Sequence, residues 1–198
     1  MIIDKELLHM KIHPSRLGFD FDGVVADTAE AFIRLCCEDY GYCSFKVEDI
    51  TDFEVERCLD VDVEVVAAVF TRILLNSVEV GLQPMPGSVR VLKELTGQGM
   101  VTLVTARPDP DPVADWLASV MPPSVYDNIR IVAMGAHDDK PRYIREHGLE
   151  CFIDDRVETC HQLKEAGLNP IVFSQPWNHG RHSLPSVSTW EEVRSLCF

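Results

Sequence analysis

Asp20 and Asp22 stand one residue apart in Leu17-Gly18-Phe19-Asp20-Phe21-Asp22-Gly23-Val24-Val25-Ala26-Asp27-Thr28. An apolar run leads into them, a glycine follows, and a helix-like segment comes next. The carboxylates therefore fall where a buried strand ends and can gather at the mouth of a sheet. Held this close they repel each other and need a cation or a shared proton. A hard oxygen site of this kind suits Mg²⁺, which takes one or two carboxylates, several waters and a substrate phosphate. One aspartate can then attack phosphorus to form an aspartyl phosphate. The other can give a proton to the leaving oxygen and later take one from water. Gly23 lets the backbone turn sharply and approach a ligand closely. Taken alone, an ordinary Asp-Gly turn after a strand explains the stretch as well.

Two further groups follow apolar runs in the same way, and a lysine after a loop joins them. Thr105 comes after Met100–Val104, where its hydroxyl and the Ala106 amide can hold phosphate oxygens. Lys140 opens a helix after the Gly135–Asp139 loop, and its ammonium can bind phosphate and balance a carboxylate. Asp154 and Asp155 follow Cys151–Ile153 and can complete the Mg²⁺ ligation, or one of them can orient a metal-bound water. Each residue has an ordinary alternative: a turn residue, a surface lysine, a helix N-cap.

The elements that must position these groups read in order. Arg16–Phe21 is a buried strand, and Asp27–Tyr40 is a helix with Ala31, Phe32, Leu35 and Cys36 on one face. Phe45–Asp62 is acidic and reads as a solvated face. Val63–Asn76 is strongly helical, and Pro84-Met85-Pro86-Gly87 reads as a linker. Residues 41–84 thus form a small helical cap between 1–40 and 85–198, which make one α/β core. From Ser88 onward, helices at Ser88–Thr96, Pro112–Val120, Lys140–His147 and Val157–Ala166 alternate with strands. Those strands are Met100–Val104, Ile129–Ala133, Cys151–Ile153 and Pro170–Phe173, the last. Ser188-Thr189-Trp190-Glu191 has the spacing of a capping box for a terminal helix. The alternation predicts a Rossmann-like parallel sheet flanked by helices, with ligands beyond the carboxyl ends of its strands. Asp20 with Asp22, Thr105, and Asp154 with Asp155 then share one rim.

Phe19-Asp20-Phe21-Asp22-Gly23-Val24-Val25-Ala26-Asp27, Leu103-Val104-Thr105-Ala106-Arg107, Lys140 and Phe152-Ile153-Asp154-Asp155-Arg156 resemble, in order, the four motifs of the haloacid dehalogenase superfamily. The resemblance spans about residues 16 to 173. It implies that Asp20 is the nucleophile and, with Asp154, a Mg²⁺ ligand. Asp22 is then the acid/base and binds the metal through its backbone carbonyl. Thr105 and Lys140 bind the phosphoryl group, and Asp155 completes or supports the metal shell. Superfamily members that break carbon–halogen bonds lack an aspartate at the Asp22 position, so phosphoryl chemistry is implied. Size, the modest cap, the Thr-Ala-Arg and Ile-Asp-Asp-Arg forms, and Phe173-Ser174-Gln175-Pro176-Trp177-Asn178 followed by Trp190 resemble the 5′(3′)-deoxyribonucleotidase group. A phosphomonoesterase on nucleoside monophosphates is therefore expected. The alternatives are a phosphatase for phosphoglycolate or a sugar phosphate, a phosphotransferase, or a non-catalytic phosphometabolite-binding protein. Phe45, Phe53, Phe70 and Arg72 are possible base-contacting positions.

The formal charge of −14 argues against a nucleic-acid polymer or an anionic membrane as main partner. A small phosphorylated metabolite fits, because a local cation can reverse the field inside one pocket. Charged residues interrupt Met1–His13 too often for a signal peptide. Seven cysteines without a Cys-x-x-Cys pair are expected to be reduced, in a cytoplasmic protein. His179 and His182, with Gly180 between them, read as surface histidines.

Overall fold

The structure, a computed structural model, describes residues 11–135 and 139–198. Met1–Met10 and positions 136–138 of the Gly135–Asp139 loop lie outside the described residues. Six parallel strands form one sheet in the order β3-β2-β1-β4-β5-β6. They are β1 (Leu17–Phe19), β2 (Val101–Thr105), β3 (Ile129–Ala133), β4 (Cys151–Asp154), β5 (Asn169–Phe173) and β6 (Ser186–Val187). The helices are α1 (Thr28–Tyr40), α2 (Val63–Leu75), α3 (Ser88–Thr96), α4 (Asp111–Val120), α5 (Pro123–Tyr126), α6 (Lys140–Glu146), α7 (Val157–Glu165) and α8 (Trp190–Cys197).

Both faces of the sheet are covered, so its central strands β1, β2 and β4 are buried at every position and mostly apolar. Side chains alternate between two cores. Leu103 and Ile153 join a large cluster with residues of α1, α3, α4 and α8. Val104 and Phe152, one residue along, pack with Ile144 of α6 and Leu163 of α7. The chain runs outward from β1 to β3 and then returns to β4 on the other side. This places the topological switch point between β1 and β4, where such sheets open a crevice. Phe19 pairs with Leu103 on one side and Ile153 on the other. Asp20 therefore stands level with Asp154.

Several boundaries differ from the sequence reading. Pro14–Arg16 is a turn of 3-10 helix, and β1 stops at Phe19 because the chain from Phe21 folds back: Val25 and Ala26 both donate to the Phe21 carbonyl. Asp27 caps α1, its carboxylate accepting from the Glu30 amide. Val91, not Val89, joins Leu92 and Leu95 on the buried face of α3. Pro84–Gly87 is no free linker, for Met85 N–H donates to the Val25 carbonyl and Pro84 bridges Ala26. Pro170–Phe173 is not the last strand, since β6 pairs with β5 beyond it. The α8 cap is one residue later than its spacing implied. Thr189 Oγ1 accepts from Glu192 N–H, and the Glu192 carboxylate accepts from Ser188 N–H.

Residues 41–84 run out from α1 through two 3-10 turns and α2, which packs along α1 with Phe70 stacked on Phe32. Their buried side chains, among them Ile50, Val55, Leu59, Val66, Val69 and Ile73, are continuous with the main core. Their acidic residues are exposed as expected, except the half-buried Asp52. The expectation of seven reduced cysteines is corrected at two of them. Cys37, near the end of α1, and Cys43 form a disulfide across Gly41, which turns the chain with φ +80°. Cys36, Cys58, Cys151, Cys160 and Cys197 are free. No described helix is long and apolar enough to cross a membrane.

Candidate active site

Five of the strand-end residues picked out above converge on one cavity of about 340 Å³, with Lys140 from the start of α6. Its floor is Asp20, Asp22, Gly23, Thr105, Ala106, Lys140, Asp154 and Asp155. The opposite wall is apolar and comes largely from residues 41–84: Ile50, Phe53, Val55, Phe70 and Leu74. Phe53 and Phe70 thus face the cavity. Phe45 instead stacks on Tyr42, and Arg72 pairs with Asp39.

Lys140 is 3% exposed and bridges two carboxylates. Its Nζ donates to Asp20 Oδ1 at 2.7 Å and to Asp154 Oδ2 at 2.6 Å. Burial pulls the lysine pKa down, but the two negative neighbours outweigh it and raise it, so the group stays an ammonium. Its charge also lies 4.9 Å from the centre of the Phe152 ring. Burial pushes the Asp20 carboxyl up; Lys140 pulls it back, and Asp154 and Asp22 push it further, leaving it at about 7.

Asp22 is held quite differently. Arg107, in the turn after β2, grips it with both arms of its guanidinium: Nε to Oδ2 at 2.9 Å and Nη2 to Oδ1 at 2.7 Å. Thr28 Oγ1 adds a hydrogen bond to Oδ1 at 2.7 Å. Burial raises the Asp22 carboxyl, but the Arg107 charge and these hydrogen bonds prevail and hold it below the ordinary range. The same guanidinium donates through Nη1 to the Leu74 carbonyl and to Ser77 Oγ. One side chain therefore joins the turn after β1 to the end of α2. Neither this junction nor the Thr28 contact follows from the sequence reading, which quoted Arg107 only as the third residue of a motif.

Asp154 and Asp155 are neighbours with unlike surroundings. Asp154 accepts from Lys140 and from Arg156 N–H. Asp155 has no cation at hydrogen-bond distance among the described residues; its Oδ2 accepts from Trp177 Nε1–H at 3.1 Å. Burial and the nearby Asp154 and Asp20 charges push its carboxyl well above the usual range. Gly23 is packed against this group. Its φ is +70°, and a Cβ there would overlap Asp155 Oδ2. The Gly23 N–H is taken by the Ala26 carbonyl, so what the glycine offers a ligand is room. Thr105 is buried, and its hydroxyl accepts from Arg107 N–H at 3.2 Å.

Four buried or half-buried carboxylates thus line the cavity with three cations, Lys140, Arg107 and the half-buried Arg156, leaving a negative excess that a divalent cation would offset. Among the described residues no group of three His, Cys, Asp or Glu side chains forms a ready-made metal cluster. Mg²⁺ does not need one, since it takes one or two carboxylates and keeps waters. The donor set fits such an ion.

A family model described as "5' nucleotidase, deoxy (Pyrimidine), cytosolic type C protein" matches residues 14–198. The chain belongs to this family. It is accordingly a phosphatase of the haloacid dehalogenase type, as the four motifs implied. Solved structures share the fold at low identity. A haloacid dehalogenase-like family hydrolase from Streptococcus pneumoniae is 14% identical with a TM-score of 0.57, over 89% of this chain and 95% of that one. A hydrolase of the same superfamily from Geobacter sulfurreducens is 13% identical with a TM-score of 0.57, over 92% and 95%. A predicted phosphoglycolate phosphatase from Haemophilus somnus is 13% identical with a TM-score of 0.56, over 93% and 98%. No curated protein matches the chain.

Proposed function

We propose that this family member is a Mg²⁺-dependent phosphomonoesterase that hydrolyses nucleoside monophosphates, deoxy ones included, through a phosphorylated Asp20. The observation that carries this reading is the two-sided cavity, with a floor of carboxylates and an ammonium and a wall of Phe53, Phe70, Ile50 and Leu74. The floor suits a phosphate and the wall suits the flat face of a base, whereas glycolate or a sugar would leave the wall unused. The family description, a deoxy pyrimidine 5′-nucleotidase, supports the same substrate class.

In this reading Asp20 attacks phosphorus while Lys140 and the Thr105 hydroxyl, with the Ala106 amide, hold the phosphoryl oxygens. Asp22 gives a proton to the leaving nucleoside oxygen and later takes one from the attacking water. To act as an acid it must first let go of Arg107 and take up a proton from solvent. The partners of the two later aspartates favour Asp155 over Asp154 beside Asp20 and the Asp22 carbonyl as holders of Mg²⁺, with Asp154 anchoring Lys140. The bound ion would neutralise the phosphate charge and favour the ionised form of Asp20. Residues 41–84 act as a cap that excludes bulk water, and its movement admits substrate and releases product. The family description of a cytosolic type supports a cytoplasmic location.

Phosphate release from a panel of deoxy- and ribonucleoside monophosphates, phosphoglycolate and sugar phosphates, with and without Mg²⁺, tests the reading. Mg²⁺-dependent turnover led by nucleotides is expected. Turnover confined to phosphoglycolate or a sugar phosphate overturns the substrate class, and phosphate passed mainly to an added alcohol overturns hydrolysis.

A further inference from the structure

We infer that Trp177 is a positioning residue for the metal side of the site, its indole N–H fixing Asp155 so that the other carboxylate oxygen is presented to the cation. The inference rests on the metal reading above. Trp177 belongs to no catalytic motif and lies beyond β5, more than twenty residues after the carboxylate it serves.

Five hydrogen bonds make the case. Trp177 Nε1–H donates to Asp155 Oδ2 at 3.1 Å from a ring that is itself buried. Asn178 Nδ2 donates at 2.8 Å to the Asp155 carbonyl and at 2.8 Å to the Phe173 carbonyl. Asn178 Oδ1 in turn accepts from Gln175 N–H, which closes residues 175–178 into a tight loop. Gln175 Nε2 reaches 2.6 Å to the Gly23 carbonyl. One short loop therefore grips Asp155 by side chain and backbone and the Asp20–Gly23 turn by its end. Among the described residues no cation hydrogen-bonds to this buried carboxylate to set its orientation, so the indole N–H performs that task. An N–H donor to one oxygen of a ligating carboxylate orients the group and leaves the other oxygen for the metal.

Three indoles give a readout that needs no substitution. Trp116 Nε1–H donates to the Leu82 carbonyl, and Trp190 Nε1–H donates to the Val24 carbonyl. Neither reaches a carboxylate. In ¹⁵N–¹H spectra of the whole protein, addition of Mg²⁺ should shift the Trp177 indole resonance most. Trp177→Phe, which keeps the ring and loses the N–H, should bind Mg²⁺ about ten- to a hundred-fold more weakly by calorimetry. That loss should vanish when Trp177→Phe is made on an Asp155→Asn background. Mg²⁺ binding to the wild type without movement of the Trp177 resonance overturns the inference. So does unchanged affinity in Trp177→Phe, or a loss that persists undiminished on Asp155→Asn. A wild type that binds no Mg²⁺ overturns the metal reading itself, and the two failures are thereby told apart.

Discussion

Replacing Arg107 by methionine tests how strongly the turn after β1 and the end of α2 depend on one guanidinium. The Arg107 side chain is 2% exposed and makes four hydrogen bonds: two to Asp22, one to the Leu74 carbonyl and one to Ser77 Oγ. Methionine keeps much of the packing over the Phe21 ring and removes the charge. Removing one partner of a buried ion pair costs about 3–5 kcal/mol, since the other charge is stranded. Asp22 is 27% exposed, so water recovers part of its solvation and the low end applies, about 3 kcal/mol. Ser77 Oγ keeps its bond to the Ile73 carbonyl, which also limits the loss. For a chain of this length that is a fall in Tm of roughly 6–12 °C. Urea denaturation followed by circular dichroism measures it, together with Asp22→Asn and the double variant. The double variant should cost less than the sum of the singles by at least about 1 kcal/mol, because both act on one pair. Arg107→Lys should recover only part, since an ammonium cannot span both carboxylate oxygens. A cost below about 0.5 kcal/mol for Arg107→Met, or strict additivity in the cycle, would refute the reasoning.

Two further outcomes follow from the geometry. Gly23→Ala should lose about 1–2 kcal/mol from its φ of +70°. It should also weaken Mg²⁺ binding by pushing Asp155 aside, and denaturation and calorimetry read the two effects separately. Thiol titration of denatured protein should find five free cysteines without reductant and seven after reduction if Cys37–Cys43 is closed; seven in both would show it open.

Much of this site was legible because parallel α/β folds place strand ends on one rim. Asp20, Thr105 and Asp154 each follow or close a short apolar run, and the register of β1 against β2 and β4 brings them together. What escaped depends on contacts far apart in the chain. Arg107 meets Asp22 across 85 positions, and Trp177 meets Asp155 across 22. No local periodicity encodes either. β6 is two residues long, too short for an alternating pattern to register. The α8 cap moved by one because Ser188 and Thr189 are both good caps, and only the Glu192 contacts separate them. The Cys37–Cys43 bond depends on the Gly41 turn, which brings the two Cα atoms to 4.3 Å.

The central claim is that Asp20 carries the phosphoryl group. The most direct measurement is an acid quench of the enzyme during turnover of a deoxynucleoside monophosphate with Mg²⁺, followed by peptide mass spectrometry. The account predicts one phosphoryl group on the peptide containing Asp20, labile to hydroxylamine, and neither adduct nor turnover in Asp20→Asn. An adduct on another residue, or wild-type turnover in Asp20→Asn, would contradict it.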